Sequence, residues 1–314
     1  MYSQNVNYVL TIAEERSFSK AAKKLYISQP ALSTAILKIE KEIGSKLFDR
    51  STSPIQLSEA GKAYINTARK MVTLEKDLNN YLMDLAELKT GKLSVGGTHF
   101  FVSCFLPSIL SIYSEKHPGI EIEIFERNSL ELEQLLLDGT MDLIVDCYPF
   151  NMDLFSIVNI FHETVLLAVP KNFSINNQLR DFQLSYDDIE NNRHLSKDCP
   201  VLDLNVFKDE PFLFLKQGNH MHDLAVKLCK NSDFEPKIKM IFDQLMTTYS
   251  MTVANLGVSF TTDIIVKYCN LASHPVFYKL DTPMAYRKSS ITYKKNKYLS
   301  KAAQEFIKVV QESI

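Results

Sequence analysis

The sequence predicts an α/β chain in three parts: an N-terminal winged helix-turn-helix over residues 1–57, a long linker helix over 58–90, and a two-subdomain α/β body over 91–314. Three observations predict it. Between Ser17 and Ile43 two helical apolar patterns meet at a tight break. From Ser58 apolar residues recur at heptad spacing. From Leu93 onward short apolar runs alternate with helical patterns, and the alternation occurs twice.

In the first stretch, SFSKAAKKLYISQPALSTAILKIEKEI, Ser17 can cap a helix whose Ala21, Ala22 and Leu25 share one face. Tyr26 and Ile27 form the break. Ser28 can cap a second helix with Pro30 in its first turn, where a missing N–H costs no intrahelical bond. Leu32, Ile36, Ile39 and Ile43 then form an apolar stripe, opposite Gln29, Ser33, Thr34 and Lys38. Small alanines at the crossing and a polar N-terminal face on the second helix suit a DNA-reading pair. Val6, Val9, Leu10 and Ala13 predict a supporting helix before them. Gly44 stops the second helix, and Leu47–Phe48 and Ile55–Leu57 predict two short strands, a wing. Arg50, Ser51 and Thr52 at its base are candidates for contact with the phosphate backbone or minor groove.

Ser58 caps the linker helix. Tyr64, Met71, Leu78 and Leu85 are spaced by sevens, with Ala60, Thr67, Leu74, Tyr81 and Leu88 at the matching d positions, and Thr90 and Gly91 end the run. Such a seam calls for the same helix of a second copy.

Composition narrows the function classes. An apolar fraction of 46% is ample for real cores. Thirteen basic residues against ten acidic ones over positions 1–90 make the head +3, which leaves −5 of the net −2 for the remainder, a balance that suits a selective reader over a blanket coat. The five cysteines are scattered and free of CxxC spacing, so neither a disulfide framework nor a zinc site is expected. With no secretory signal at the start and no membrane-length apolar run, the expected location is the cytoplasm. There is no Gly-rich phosphate loop, GxSxG or HExxH, so no enzyme, cofactor or metal is expected.

In the body, Leu93–Val95, Ile120–Phe125 and Leu143–Val145 predict strands, with Gly96 and Gly97 as a tight exit and helices over Leu106–Tyr113 and Leu130–Leu137. Val165–Val169 starts a second unit with strands Phe212–Leu215, Ile238–Phe242 and Val258–Phe260 and helices over Met221–Cys229 and Leu245–Ala254. Val276–Leu280 and a last helix over Ala302–Val310 are expected to return to the first unit, giving subdomains of about 91–163 with 266–314 and of 164–265. Ligands of such sheets lie beyond the carboxyl ends of the strands. The cleft candidates are therefore Thr98, His99 and Phe100, Asn128 and Ser129, Asp146, then Gln217, Asn219 and His220, with Thr247 near a helix start. Amides at helix N-termini suit an anion, so a small carboxylate is the expected effector.

SFSKAAKKLYISQPALSTAILKIEKEIG, LFDR and QLSEAG, followed by GKLSVGG, FLPSILSIYSEKHPGIEIEI, LLLDGTMDLIV and LGVSF in that order, closely resemble the LysR-type transcriptional regulators over the whole chain. The resemblance implies a body of two α/β subdomains like the type 2 periplasmic binding proteins, assembly into dimers or tetramers, an interrupted inverted repeat of double-stranded DNA as target, a small-molecule effector, and RNA polymerase as a further candidate partner. Gln29, Pro30 and Ser33 fit the family's recognition pattern, with Ser28 before them. Thr34 and Ala35 stand where the family often has a basic residue and Gln, and Ser53 where the wing is often basic. That shifts weight onto backbone contacts from Lys20, Lys24, Lys38 and Arg50. Asn255 stands where the family often has Gly, a position for which Asn's tolerance of left-handed backbone fits it. Residues 171–210 look like a polar insertion, a lid or contact surface. Cys199 within it, beside Asp198 and near Lys197, makes a thiol-based redox sensor the alternative within the family. A small-molecule binding protein acting through a protein partner is the alternative outside it.

Overall fold

A computed structural model of the chain describes residues 4–52, 54–84, 91–269 and 271–314. It falls into two compact units, Met1–Gly91 with Leu137–Thr140 and Lys297–Ser300, and Lys92–Leu136 with Met141–Asn296 and Lys301–Ile314.

The first unit opens with helices α1 (Gln4–Glu15), α2 (Phe18–Lys24) and α3 (Gln29–Ile43). Local chemistry sets their ends. Ser17 Oγ accepts from the Lys20 amide and Ser28 Oγ from the Ala31 amide, both at 3.3 Å. Gly44 closes α3 in the left-handed region at φ 76°, which a residue with a Cβ adopts only at a cost. Tyr26 in the turn takes φ 56°. The core joins Val9, Ile12, Phe18, Ala21, Ala22, Leu32, Ile36 and Ile39 with Leu47, Phe48 and Ile65, each large side chain contributing about 1.5–3 kcal/mol by burial. Ile43 departs from the expected stripe: it is exposed, and the buried position at this end of α3 is Glu40. Strands β1 (Phe48–Asp49) and β2 (Gln56–Leu57) pair antiparallel as the wing.

Helix α4 (Glu59–Asp84) starts where Ser58 Oγ accepts from the Gly61 amide at 3.0 Å. Ile65 and Ala68 turn inward, whereas Met71, Leu74, Leu78 and Tyr81 are exposed. Leu85 and Leu88 of the expected seam and Thr90 at its expected end lie outside the described residues, as does Ser53 of the wing.

The second unit is a nine-stranded mixed sheet with helices. In chain order it contains β3 (Gly91–Gly97), a π-helical turn at Phe101–Phe105 running into α5 (Leu106–Lys116), β4 (Ile120–Glu126), α6 (Ser129–Leu137), β5 (Leu143–Asp146) and β6 (Phe155–Val169). Then come α7 (Tyr186–Glu190), β7 (Pro211–Leu215), α8 (His220–Asn231), β8 (Lys237–Phe242), α9 (Leu245–Val253), β9 (Val258–Thr262), α10 (Asp263–Tyr268), β10 (Val276–Lys279), β11 (Tyr286–Lys294) and α11 (Lys301–Glu312). The strand order is β4-β3-β5-β11-β6-β9-β7-β8, with β10 also on β6.

β6 is the shared strand. Its Phe155–Thr164 stretch pairs with β11, and Val165–Val169 pairs with β9 and β10. Reading Val165–Val169 as a separate strand start missed the first half, whose half-exposed residues lack a continuous apolar run. Val276–Lys279 does not return to the first leaf as expected: it pairs with Leu166–Val169, and the returning strand is β11, between β5 and β6. Gly96 and Gly97 belong to β3 and form no exit turn; a Cβ on Gly96 would meet the ends of the Met141 and Leu132 side chains, which would have to shift to admit it.

Residues 171–210 are not polar throughout their packing. Leu179, Leu202, Leu204 and Phe207 join the core of the second leaf, Leu184 bridges Phe277, and His194 is fully buried with Nε2 2.9 Å from Asp263 Oδ2. Asn255 takes φ 65°. Among the described residues no helix is long and apolar enough to cross a membrane.

Candidate nucleic-acid interface and effector cleft

The N-terminal turn of α3 exposes Ser28, Gln29 and Pro30, and Thr34 and Lys38 continue the same open face. Lys20 is exposed on α2. Lys24 is exposed too but holds Glu14 Oε2 at 3.2 Å and Glu15 Oε1 at 3.0 Å, which raise its ammonium above the usual range. Ser51 and Thr52 curl onto Asp49, with Ser51 Oγ donating to Asp49 Oδ1 at 2.6 Å and Thr52 Oγ1 to the Asp49 carbonyl at 3.5 Å.

Arg50 has a duty that spacing did not suggest. Its Nη2 lies 3.2 Å from Glu40 Oε2, its Nη1 donates to Ser33 Oγ at 3.2 Å, and its guanidinium stands 4.7 Å over the Phe18 ring. Glu40, nearly buried, spends Oε1 on the Leu47 amide at 2.8 Å and the Phe48 amide at 3.3 Å. One carboxylate thus ties α3 to the wing. Glu40 went unread because it sits in the charged run LKIEKE, where nothing separates it from its solvated neighbours.

In the second unit a cavity of about 80 Å³ opens beyond the strand ends. Eight of the ten cleft candidates line it: Thr98, His99, Phe100, Asn128, Ser129, Asp146, Asn219 and His220. Gln217 and Thr247 do not. Gln217 lies exposed beside Gly218, which turns the chain at φ 86°, and Thr247 points outward from the first turn of α9, where Leu245 and Met246 face the cavity. His99 Nδ1 is 2.8 Å from Glu126 Oε1.

Three neighbouring strands make the floor. β5 ends in Asp146, whose Oδ2 accepts from Ser129 Oγ at 2.6 Å and Oδ1 from the Cys147 amide at 2.7 Å. Glu163 on β6 and Arg287 on β11 are direct cross-strand partners, 3.1 Å apart. That contact is an ion pair without hydrogen-bond alignment, because Glu163 Oε1 and Arg287 Nε are buried with no hydrogen-bond partner, as is His220 Nδ1. Burial raises the Asp146 carboxyl against the Ser129 hydroxyl, the Cys147 amide and Arg287. It also pushes the His220 imidazole down to about 4, with Arg287 adding to the effect. Glu163 and Arg287 escaped the sequence reading because both sit in strand halves that carry no apolar run.

The helices around this floor begin at it: Asn128–Ser129 start α6, Asn219–His220 start α8, and Gln244–Leu245 start α9. Asn128 caps the Glu131 amide and Asn219 the Met221 amide, whereas Gln244 makes no side-chain cap. Of the cysteines, Cys199 is buried and its thiol is raised by that burial, although Lys279 and Arg193 oppose it. Cys147 Sγ stands 3.1 Å from Ser289 Oγ and is likewise raised by burial.

Residues 3–62 match the model of the bacterial regulatory helix-turn-helix proteins of the lysR family, and residues 86–314 match that of the LysR substrate binding domain. The HTH-type transcriptional regulator YcgK of Bacillus subtilis is 27% identical, with 98% of this chain and 94% of that protein aligned. The DNA-binding transcriptional dual regulator OxyR of Escherichia coli is 25% identical over 82% of this chain and 78% of its own length. Among solved structures, full-length CbnR in complex with its target DNA superposes with a TM-score of 0.64 at 21% identity, covering all of both chains. A full-length OxyR variant from Pseudomonas aeruginosa reaches 0.67 at 21% identity over 98% of this chain and 93% of that one. With both of its units matched to the family's two domain models, the chain belongs to the LysR family of DNA-binding transcriptional regulators, a helix-turn-helix head joined to an effector-binding domain.

Proposed function

We propose that the chain acts in the cytoplasm as a dimer, or a pair of dimers, on an interrupted inverted repeat of double-stranded DNA, and that a small carboxylate in the cleft modulates it. In this reading residues 1–57 read DNA, 58–90 dimerise and 91–314 hold the effector. The observation that carries the DNA reading is the open polar start of α3, with Ser28, Gln29, Thr34 and Lys38 exposed while the opposite stripe is buried. Gln29 is suited to an adenine edge, and Lys20 and Lys38 to phosphates. The exposed Met71, Leu74, Leu78 and Tyr81 support pairing of α4 with a second copy, which sets two heads on one duplex. Three helix N-termini around the cavity support an anionic ligand group.

The test is a footprint and gel shift on DNA from upstream of its own gene, with random duplex as competitor. The expected result is a protected interrupted inverted repeat, and Gln29→Ala should weaken that site by about 1–3 kcal/mol while leaving random DNA nearly unchanged. Equal losses on both DNAs would remove base reading from Gln29. Ser33→Ala is the less clean probe, because Ser33 also accepts from Arg50.

A further inference from the structure

The cleft asks for two opposite charges. On its floor Asp146 and Glu163, each 3% exposed, face a single guanidinium, Arg287. His220, with its imidazole pushed down to about 4, supplies no compensating cation at neutral pH. Glu163 Oε1 lacks a hydrogen bond at a site where such a group costs about 1–3 kcal/mol or more. An anion alone would add repulsion here. Around the floor the polarity reverses, since α6, α8 and α9 direct their N-termini at the cavity, and Gln244 leaves the first turn of α9 without a side-chain cap.

We infer that the effector is a small α-amino acid, its ammonium on Asp146 and Glu163 and its carboxylate on the amides at the start of α9. The inference rests on the carboxylate reading of the cleft and adds the second charge. An ammonium is a three-fold donor, which matches the free acceptor capacity of Glu163 and the second lone pairs of Asp146. It also offsets the burial penalty that raises the Asp146 carboxyl. Asp146, Glu163 and the start of α9 at Gln244–Met246 line the same cavity, so a compact ligand that carries both charges meets both.

The full chain would be titrated with glycine, L-alanine and L-serine, alongside propionate and lactate, which lack the ammonium, and ethanolamine, which lacks the carboxylate. At saturation at least one amino acid should raise the melting temperature by about 2–4 °C, while the three controls leave it unchanged. Asp146→Asn should weaken that amino acid at least tenfold by calorimetry. Its folded state is checked by circular dichroism, and Glu163→Gln, which keeps one acceptor oxygen, serves as the second variant. If propionate and lactate bind as well as the amino acids, the zwitterion inference falls and the carboxylate reading stands. Binding of ethanolamine alone overturns both. No shift from any of the three amino acids, or an unchanged affinity in Asp146→Asn and Glu163→Gln, also overturns the inference.

Discussion

Two buried glutamates in this chain carry the same charge and lead opposite lives. In the head, Glu40 has both oxygens occupied, one by the amides of Leu47 and Phe48 and one by Arg50, which itself rests on Ser33 and Phe18. In the body, Glu163 meets Arg287 across a strand pair but leaves Oε1 without a hydrogen bond, and Arg287 leaves Nε in the same state. Burial of charge is costly in both places. Where both oxygens are answered from within, the charge is architecture. Where they are not, polar atoms stand without hydrogen-bond partners among residues that line a cavity.

The comparison breaks most visibly at the body pair. Glu163→Leu takes from Arg287 its ion-pair partner and leaves it only the Asp146 carboxylate, with which it makes no close ion pair, and should destabilise the body by about 3–5 kcal/mol in a urea titration. Adding Arg287→Met should recover most of that loss, because an apolar pair of similar volume replaces a pair that was poorly hydrogen-bonded. A double variant no more stable than the single one would mean that Glu163 and Arg287 matter to the fold separately, and the contrast with the head would lose its basis.

The head should respond more gently but without a rescue. Glu40→Ala orphans two amides and Arg50, an expected loss of about 2–4 kcal/mol in the opening free energy of the α3 amides, read by hydrogen exchange. Glu40→Gln keeps one acceptor and should lose less. A loss under about 1 kcal/mol for Glu40→Ala would make the clasp between α3 and the wing ornamental.

The same division separates what the sequence discloses from what it hides. The helices of the head are legible because their signals are local: Ser17 and Ser28 at the starts, Gly44 at the stop, and Leu32, Ile36 and Ile39 at helical spacing. The cleft is legible where a strand ends and a helix begins, which is why Thr98, Asn128, Ser129 and Asp146 were reachable. Glu40 was not, since a carboxylate between Ile39 and Lys41 shows its neighbours in sequence but not the wing that folds over it. The floor was hidden for a related reason. Glu163 follows His162 in a stretch of β6 that is only partly buried, and Arg287 lies between exposed Tyr286 and Lys288 at the start of β11, so both read as surface charges, and their pairing depends on a contact more than a hundred residues apart along the chain. Residues 171–210 mislead in the opposite direction: polar residues dominate the count, while Leu179, Leu202, Leu204 and Phe207 do the packing.

The smallest expected effect is one of pH, and its sign sharpens the contrast. His220 has its folded pKa lowered from 6.5 to about 4, so the fold favours the neutral ring. Its contribution is fully present above pH 6.5 and is lost as the pH falls toward 4. Asp146 works the other way: its carboxyl is raised, so the fold is relieved as acid protonates it and burdened as the pH rises through that raised value. The two groups line one cavity and respond to acid with opposite signs. His220→Phe keeps a ring against Tyr148, whose centroid lies 5.7 Å from that of His220. Its melting temperature relative to the native chain should climb as the pH is lowered from 6.5 toward 4. For Asp146→Asn the advantage should instead be largest at neutral pH and shrink on acidification. Matched scanning calorimetry of the three proteins measures both slopes. Parallel profiles would show that neither group titrates against the fold, and that the open polar atoms of the cleft are already satisfied by solvent.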